Sequence, residues 1–334
     1  MVKNNFLRGF ASGDEQTSEF FKLKKIRTKK KLIFHHKSKV IVILGQTSTG
    51  KSDLAVRLAQ KIGGEIISAD SRQVYKGLNI GTGKITKKEM KGIPHHLLDV
   101  ANPKRPARRG GKFTVVEYQK LAISAMADIV KRNKIPIICG GTGFYIDTIT
   151  KGIIFPEVPP NLKLRKILEK KSVKKLFQIL KKLDPRRANN IDKNNKVRLI
   201  RSIEIVKTLG KVPVTKATPL PYKFIKIGLY LSSDKLKKKI EKRLLARMKI
   251  GMLNEAKRLH KQGLSYSRME ELGLEYRFMA LHLQNKITKE EMLKRLNSEI
   301  YKYAKRQMTW FKRDKKIKWF EASKKINCDT IIRL

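Results

Sequence analysis

Eight residues near the start of the chain, Gly45-Gln46-Thr47-Ser48-Thr49-Gly50-Lys51-Ser52, fit the pattern G-x-x-x-x-G-K-[ST] without a mismatch. Glycines at its ends let the backbone wrap closely, so that N–H groups point inward at phosphate oxygens. A helix starting at the end of the loop adds partial positive charge. Lys51 supplies a point charge, and the Ser52 hydroxyl is the expected ligand for Mg²⁺. This pattern marks nucleotide-binding and ATP-binding proteins, but what it cradles is a diphosphate group, whether of ATP, GTP or another diphosphate ester. In most proteins that carry it, an Asp at the end of a later apolar strand backs the metal. Here the apolar run Ile135–Cys139 ends in Gly140-Gly141-Thr142-Gly143 instead, which argues against a motor ATPase.

Two more residues could do chemistry beside such a cradle. Asp70 closes the apolar run EIISA. In isolation, an Asp in SADSRQ is a turn or helix-cap residue. As the end of the strand expected next to the cradle strand, it instead enters the crevice where the carboxyl ends of parallel strands converge. Thr142 can likewise aim a hydroxyl into that crevice, although a Thr in a Gly-rich loop is usually a turn former. His95 and His96 have no Cys or His at metal-ligand spacing and read as structural.

The elements that must position these residues are legible as alternating apolar runs and amphipathic stretches. Val40–Leu44, EIISA and Ile135–Cys139 are short continuous apolar runs, as expected for strands buried on both faces. Leu54, Ala55, Leu58, Ala59 and Ile62 share one helix face, and Val115–Arg132 forms a second helix. Strands alternating with helices imply a parallel sheet with crossover helices. The pattern changes at Pro156, Pro159 and Pro160. Basic helices are expected over Asn161–Leu183 and Lys196–Leu209, within a stretch, 151–208, that carries 17 Lys and Arg against 5 Asp and Glu. The run Phe224–Leu231 then returns to the sheet, followed by long helices over Asp234–Gln262 and Thr288–Arg313. The expected architecture is α/β: a P-loop NTPase-like parallel sheet flanked by helices, interrupted by a helical insertion. Its divisions are a basic N-terminal extension at 1–39, expected to be disordered, and the first part of the core at 40–155. A basic helical insertion at 156–222, the rest of the core at 223–322 and a tail at 323–334 follow.

Composition narrows the partners. The chain has 334 residues, 40% apolar and 32% charged, with a formal net charge of +50. Such a field attracts polyanions, nucleic acid first among them; a Lys-rich genome would also produce it. Two cysteines, Cys139 and Cys328, exclude a disulfide scaffold and a Cys-rich zinc site. No apolar run approaches the roughly 20 residues of a membrane span, and the N-terminus lacks a secretory core. A cytoplasmic monomer without a membrane partner is expected.

Taken together, GQTSTGKS, ISADSRQVYKGLNIGTGK, IPHHLLDV and GGTGFY, with DPRRANNI, VRLIRSIEI, LGLEYR and YAKRQMTWFKRD downstream, resemble the tRNA dimethylallyltransferase (tRNA isopentenyltransferase) family of bacteria. The resemblance runs in order from about Val40 to Phe320. It implies transfer of a dimethylallyl group from dimethylallyl diphosphate to the exocyclic amine of the adenosine at position 37, just 3′ of the anticodon, in tRNAs reading codons that begin with U. It also implies that Gly45–Ser52 bind the donor's diphosphate, with Lys51 and Mg²⁺ at the developing charge, and that Asp70 is the general base. Thr142 would act beside the diphosphate or the target base. Asp70-Ser71-Arg72-Gln73, Thr142 and Val197-Arg198-Leu199-Ile200-Arg201 would contact the tRNA anticodon stem-loop. Where the family shows Gly-Tyr-Lys or Gly-Tyr-Arg, this chain reads Gly273-Leu274-Glu275-Tyr276-Arg277, and Arg277 is carried over as a tRNA contact. The residues alone leave other readings open: an isopentenyltransferase acting on free adenine nucleotides, a P-loop kinase or RNA-stimulated ATPase, or a basic RNA-binding protein with a vestigial cradle.

Overall fold

The computed structural model describes residues 38–104, 113–214, 217–324 and 326–334. Residues 1–37 of the basic extension expected at 1–39, and the Arg-rich 105–112, lie outside them, whereas Ser38 and Lys39 of that extension already belong to the first strand.

Six strands form one sheet in the order β3-β2-β4-β1-β5-β6, with every neighbouring pair parallel. They are β1 (Ser38–Gly45), β2 (Gly64–Ser68), β3 (His95–His96), β4 (Ile135–Gly140), β5 (Tyr222–Tyr230) and β6 (Lys318–Glu321). Side chains of β1 alternate between two separate cores. Val40, Val42 and Leu44 enter one with α3 (Val115–Lys131) and the C-terminal helices, while Ile41 and Ile43 enter the other with α1 (Lys51–Ile62). Burial on both faces is why the strands read as unbroken apolar runs rather than alternating ones.

The sheet order corrects one expectation. β2, whose end carries Asp70, is not the neighbour of the cradle strand; β4 lies between them. The strand nearest in the chain is therefore not the nearest in space, and the loop after β4 is what bridges the cradle and Asp70.

Two expected long helices are each broken. The first becomes α5 (Leu162–Glu169) and α6 (Val173–Leu183), because Ser172 turns out of the helix and accepts from the Lys175 N–H as an N-cap. The second becomes α9 (Ser233–Lys249) and α10 (Met252–Lys261), separated at Gly251, which has φ +97°. Two short helices precede these breaks in the chain, α2 (Lys87–Met90) and α4 (Gly143–Thr150).

Helices α5 and α6, with α7 (Pro185–Asn189) and α8 (Lys196–Leu209), build a core of their own from Leu168, Leu176, Leu180, Leu199, Ile203 and Val206 among others. The C-terminal part continues with α11 (Tyr266–Leu272), α12 (Leu274–Leu283) and α13 (Lys289–Phe311). The last helix, α14 (Cys328–Ile332), is tied to α1 by an ion pair between Lys61 and Asp329.

Candidate active site

The cradle runs from the end of β1 into α1. Gly45 has φ +134°, and a Cβ there would fall 2.2 Å from the Leu229 carbonyl oxygen of β5, so the neighbouring strand demands glycine. Gly50, at φ +83°, caps α1 without a side-chain bond, which leaves the first amides of a 12-residue helix for an anion. Ser48 sits at φ +62°, a left-handed conformation held by the loop around it. Inside the loop the Gln46 carbonyl accepts from Thr49 Oγ1 at 2.8 Å and from Lys51 Nζ at 2.6 Å. Burial lowers the Lys51 pKa to about 8, with the nearby Arg243 guanidinium adding to the effect and Asp70 and Cys139 opposing it. The Cys139 thiol, within hydrogen-bond reach of Ser52, is pushed up to about 11 by burial.

Asp70 follows β2 by two residues. Its Oδ1 accepts from the N–H groups of Arg72 at 2.8 Å and Gln73 at 3.3 Å, so the turn residue and the crevice residue are one and the same. Neither bond uses Oδ2.

Thr142 occupies the N-cap position of α4 but makes no side-chain cap bond. Its Oγ1 accepts instead from the Ser71 N–H at 3.0 Å, and the Tyr303 phenol of α13 lies close by. Burial, with the Asp70 charge nearby, raises the Tyr303 phenol above its usual range. Asp70, Ser71 and Thr142 are thus brought together by hydrogen bonds, and the cradle joins them through α13. Gln307 of that helix accepts from the Thr47 N–H at 2.7 Å and donates to the Gly141 carbonyl at 2.9 Å.

Of these residues, Thr47, Asp70, Ser71 and Tyr303 line a crevice of about 960 Å³ whose wall also includes Arg72, Arg277 and Arg306. Arg277 is exposed and donates through Nε to the Glu270 carbonyl at 3.2 Å. Next to it, Glu275 pairs with Arg247 at 2.9 Å. The Tyr276 hydroxyl donates to Glu255 Oε1 at 2.7 Å, while the same carboxylate accepts from the Asn79, Ile80 and Gly81 N–H groups. The loop that carries Thr82 into the crevice hangs on that carboxylate.

The helix-α8 residues fall elsewhere, on the insertion. Val197 and Arg198 are exposed. Leu199 and Ile200 turn inward to the insertion's core, so their side chains anchor the helix rather than present a surface. Arg201 and Arg165 share the buried Glu204 carboxylate, and Arg201 also donates to the Val158 carbonyl at 2.8 Å. Arg198 is therefore the cation that α8 offers outward from VRLIR.

Three residues at the site give no distinctive signal in the sequence: Tyr303, which lines the crevice, and Arg243 and Gln307, which contact the cradle at Thr47. Arg243 of α9 donates to Thr47 Oγ1 at 3.4 Å and the Gly83 carbonyl at 3.2 Å. No carboxylate among the described residues pairs with it, and burial together with Arg247 lowers its pKa. A half-buried guanidinium without an acidic partner beside a phosphate cradle is suited to an anionic ligand. Its only sequence signal was membership of a basic helix. His96, by contrast, donates through Nε2 to Glu65 at 2.8 Å in an ion-pair cluster with Arg132 and Lys134, away from the crevice.

The sequence model of the family described as IPP transferase matches residues 73–314. The chain belongs to the IPP transferase family. It is 38% identical over 302 residues to the tRNA dimethylallyltransferase of Halothermothrix orenii, covering 88% of this chain and 90% of that one. To tRNA dimethylallyltransferase 2 of Treponema denticola it is 42% identical, covering 83% and 92%. Among solved structures it is similar to the full-length tRNA isopentenylpyrophosphate transferase of Bacillus halodurans, with a TM-score of 0.65, 32% identity, and coverage of 89% and 94%. A eukaryotic dimethylallyltransferase captured acting on tRNA superposes with a TM-score of 0.69 at 28% identity, covering 85% and 74%. The parallel P-loop-like sheet is that of the family. Among the described residues no helix is long and apolar enough to cross a membrane.

Proposed function

We propose that this chain is a tRNA dimethylallyltransferase. It transfers the dimethylallyl group of dimethylallyl diphosphate to the N6 amine of adenosine 37 in tRNAs reading codons that begin with U. The observation that carries this reading is the continuity of one crevice from a diphosphate cradle at Thr47 to a carboxylate at Asp70, with room for a nucleoside between.

The amine lone pair of adenine is delocalised into the ring, so the nitrogen is a poor nucleophile. In the proposed step it attacks the donor's C1 as the C1–O bond breaks; the bonding pair leaves on the diphosphate, and the N6 proton passes to Asp70. The carboxylate raises the amine's reactivity as the bond forms. Negative charge gathering on the diphosphate is met by the amides of the Gly45–Ser52 loop other than Thr47, whose N–H is taken by Gln307, and by Lys51 and Arg243, already oriented before reaction. Thr142, held by Ser71, stands between the two halves. Mg²⁺ fits the hard oxygens present. Ser52 would hold it, and since no cluster of three or more His, Cys, Asp or Glu side chains suited to a metal occurs among the described residues, the diphosphate and water would complete its shell. The ion would neutralise charge on the leaving group.

To enter the crevice the adenosine must leave its stack, at a cost of a few kcal/mol. Basic residues of the insertion, Arg198 among them, and Arg277 at the crevice would offset that cost on the anticodon stem-loop phosphates.

The test is to incubate the protein with Mg²⁺, labelled dimethylallyl diphosphate and unmodified tRNA, then digest and identify the labelled nucleoside. Dimethylallyl-adenosine from position 37 is expected. Label on AMP in place of tRNA, or ATP hydrolysis with no label transferred, would refute the assignment.

A further inference from the structure

A displacement between two bound reactants depends on holding the reacting atoms about 3–3.5 Å apart and aligned. Here the donor's cradle and the acceptor's carboxylate sit on strands that are not neighbours, β1 and β2. Something must set the distance between them.

We infer that Gln307 is the positioning residue that sets it, an inference that rests on the transfer reaction proposed above. Its side chain is buried, 6% exposed, near the C-terminal end of α13. Both ends of its amide are committed. Oε1 faces a backbone donor, Thr47 N–H, and Nε2 faces a backbone acceptor, the Gly141 carbonyl, so the partners themselves fix which end is oxygen. From Gly141 the chain of contacts continues without a gap. Thr142 is the next residue, its N–H donates to the Ala69 carbonyl at 3.1 Å, and its Oγ1 accepts from Ser71 N–H at 3.0 Å. Asp70 lies between those two partners. One side chain therefore couples the diphosphate loop to the loop that holds the base.

A second, independent observation supports the closeness of this coupling. A Cβ added at Gly141 would lie 2.2 Å from Gln307 Nε2. Gly141 is not among the residues with positive φ. Glycine is needed there for the approach of Gln307, not for the backbone's conformation. Gln307 touches neither reacting atom on this reading; it acts through Thr47 and Gly141.

The experiment compares wild type, Gln307→Ala, Gly141→Ala and the double variant as full chains. Single-turnover transfer from labelled dimethylallyl diphosphate to unmodified tRNA is measured, with rates normalised to the protein that binds tRNA. Each single variant is expected to slow transfer about 10- to 100-fold, the scale of a misplacement of an ångström or less, with the KM for tRNA within about twofold. Gly141→Ala acts by pushing the amide aside, so once Gln307 is truncated it should add nothing, and the double variant should be no slower than the slower single one. Single variants that transfer at the wild-type rate after normalisation would overturn the inference. So would losses that multiply in the double variant. A wild-type protein that transfers nothing would instead overturn the proposed function.

Discussion

Replacing Asp70 in two ways separates its two jobs. The Asn variant keeps an oxygen that can accept from Arg72 and Gln73 N–H, the bonds that Oδ1 makes at 2.8 and 3.3 Å. It preserves the turn and removes the base. The Ala variant removes both. General-base assistance contributes about 10²- to 10⁴-fold, which is about 2.7–5.4 kcal/mol of barrier. Both variants should lose that much in the single-turnover rate of dimethylallyl transfer. The two turn bonds are worth about 0.5–1.5 kcal/mol each. Ala should therefore also lower stability by about 1–3 kcal/mol, while Asn stays within about 1 kcal/mol of wild type. The assay is rapid-quench transfer to unmodified tRNA, beside thermal unfolding and equilibrium binding of labelled donor. Donor affinity should survive in the Asn variant, because the cradle is on another strand. An Asn variant that transfers within threefold of wild type would remove Asp70 from the proton-transfer role, whatever Ala did.

Other residues predict other outcomes. Arg198→Ala should leave stability unchanged and weaken tRNA binding, reducing the salt slope of log affinity by about 1, whereas Arg201→Ala should cost about 1–3 kcal/mol of stability because the buried Glu204 loses one of its partners; equal stability in the two variants would contradict the division of labour on α8. Lys51, lowered to about 8, should lose its charge and its grip on diphosphate as pH rises through that value, so donor affinity falls between about pH 7 and 9. The sign for stability is opposite. Its folded pKa lies below the ordinary lysine value of 10.5, the unfolded chain binds more protons in that window, and this group's contribution to stability rises from about pH 8 to 10.5. Titrating donor binding and unfolding in parallel, with Lys51→Met as the control, checks both. Arg243→Met should raise the KM for dimethylallyl diphosphate about tenfold or more without lowering the unfolding midpoint, since it removes a half-buried cation that has no carboxylate partner. A lower midpoint with unchanged KM would make Arg243 structural.

Local signals carried much of this site and distant ones did not. The cradle is eight consecutive residues between a buried run and an amphipathic helix, and β1, β4 and β5 announced themselves as apolar runs because both their faces are covered. The order of those strands is set by packing of helices far along the chain, and consecutive apolar runs gave no hint that β4 would separate β1 from β2. Likewise Arg243 and Gln307 meet Thr47 across separations of 196 and 260 residues. In the sequence Gln307 is one polar residue in a basic helix; only folding shows that its amide is buried with both ends taken. The broken helices have simple local causes, Ser172 and Gly251, that were visible but outweighed by the continuous basic amphipathic pattern on either side. Within VRLIR, charge alone did not distinguish the outward Arg198 from the inward-committed Arg201, since the partner Glu204 is itself buried.

The position of β1 in the sheet has a consequence for how the protein is made. β1 pairs with β4 on one side and along its whole length with β5 on the other. When Gly140 has left the ribosome, one edge of the cradle strand is still bare, and it stays so until Tyr222–Tyr230 arrive. Bare strand edges invite pairing with other chains. The intervening segment has its own core, so it can collapse separately while that edge waits. The amide that holds Thr47 arrives later still, at residue 307. A nascent or truncated chain ending before α13 would carry every residue of the phosphate motif, yet could not hold it in working shape. Synthesis itself would keep incomplete molecules from modifying RNA.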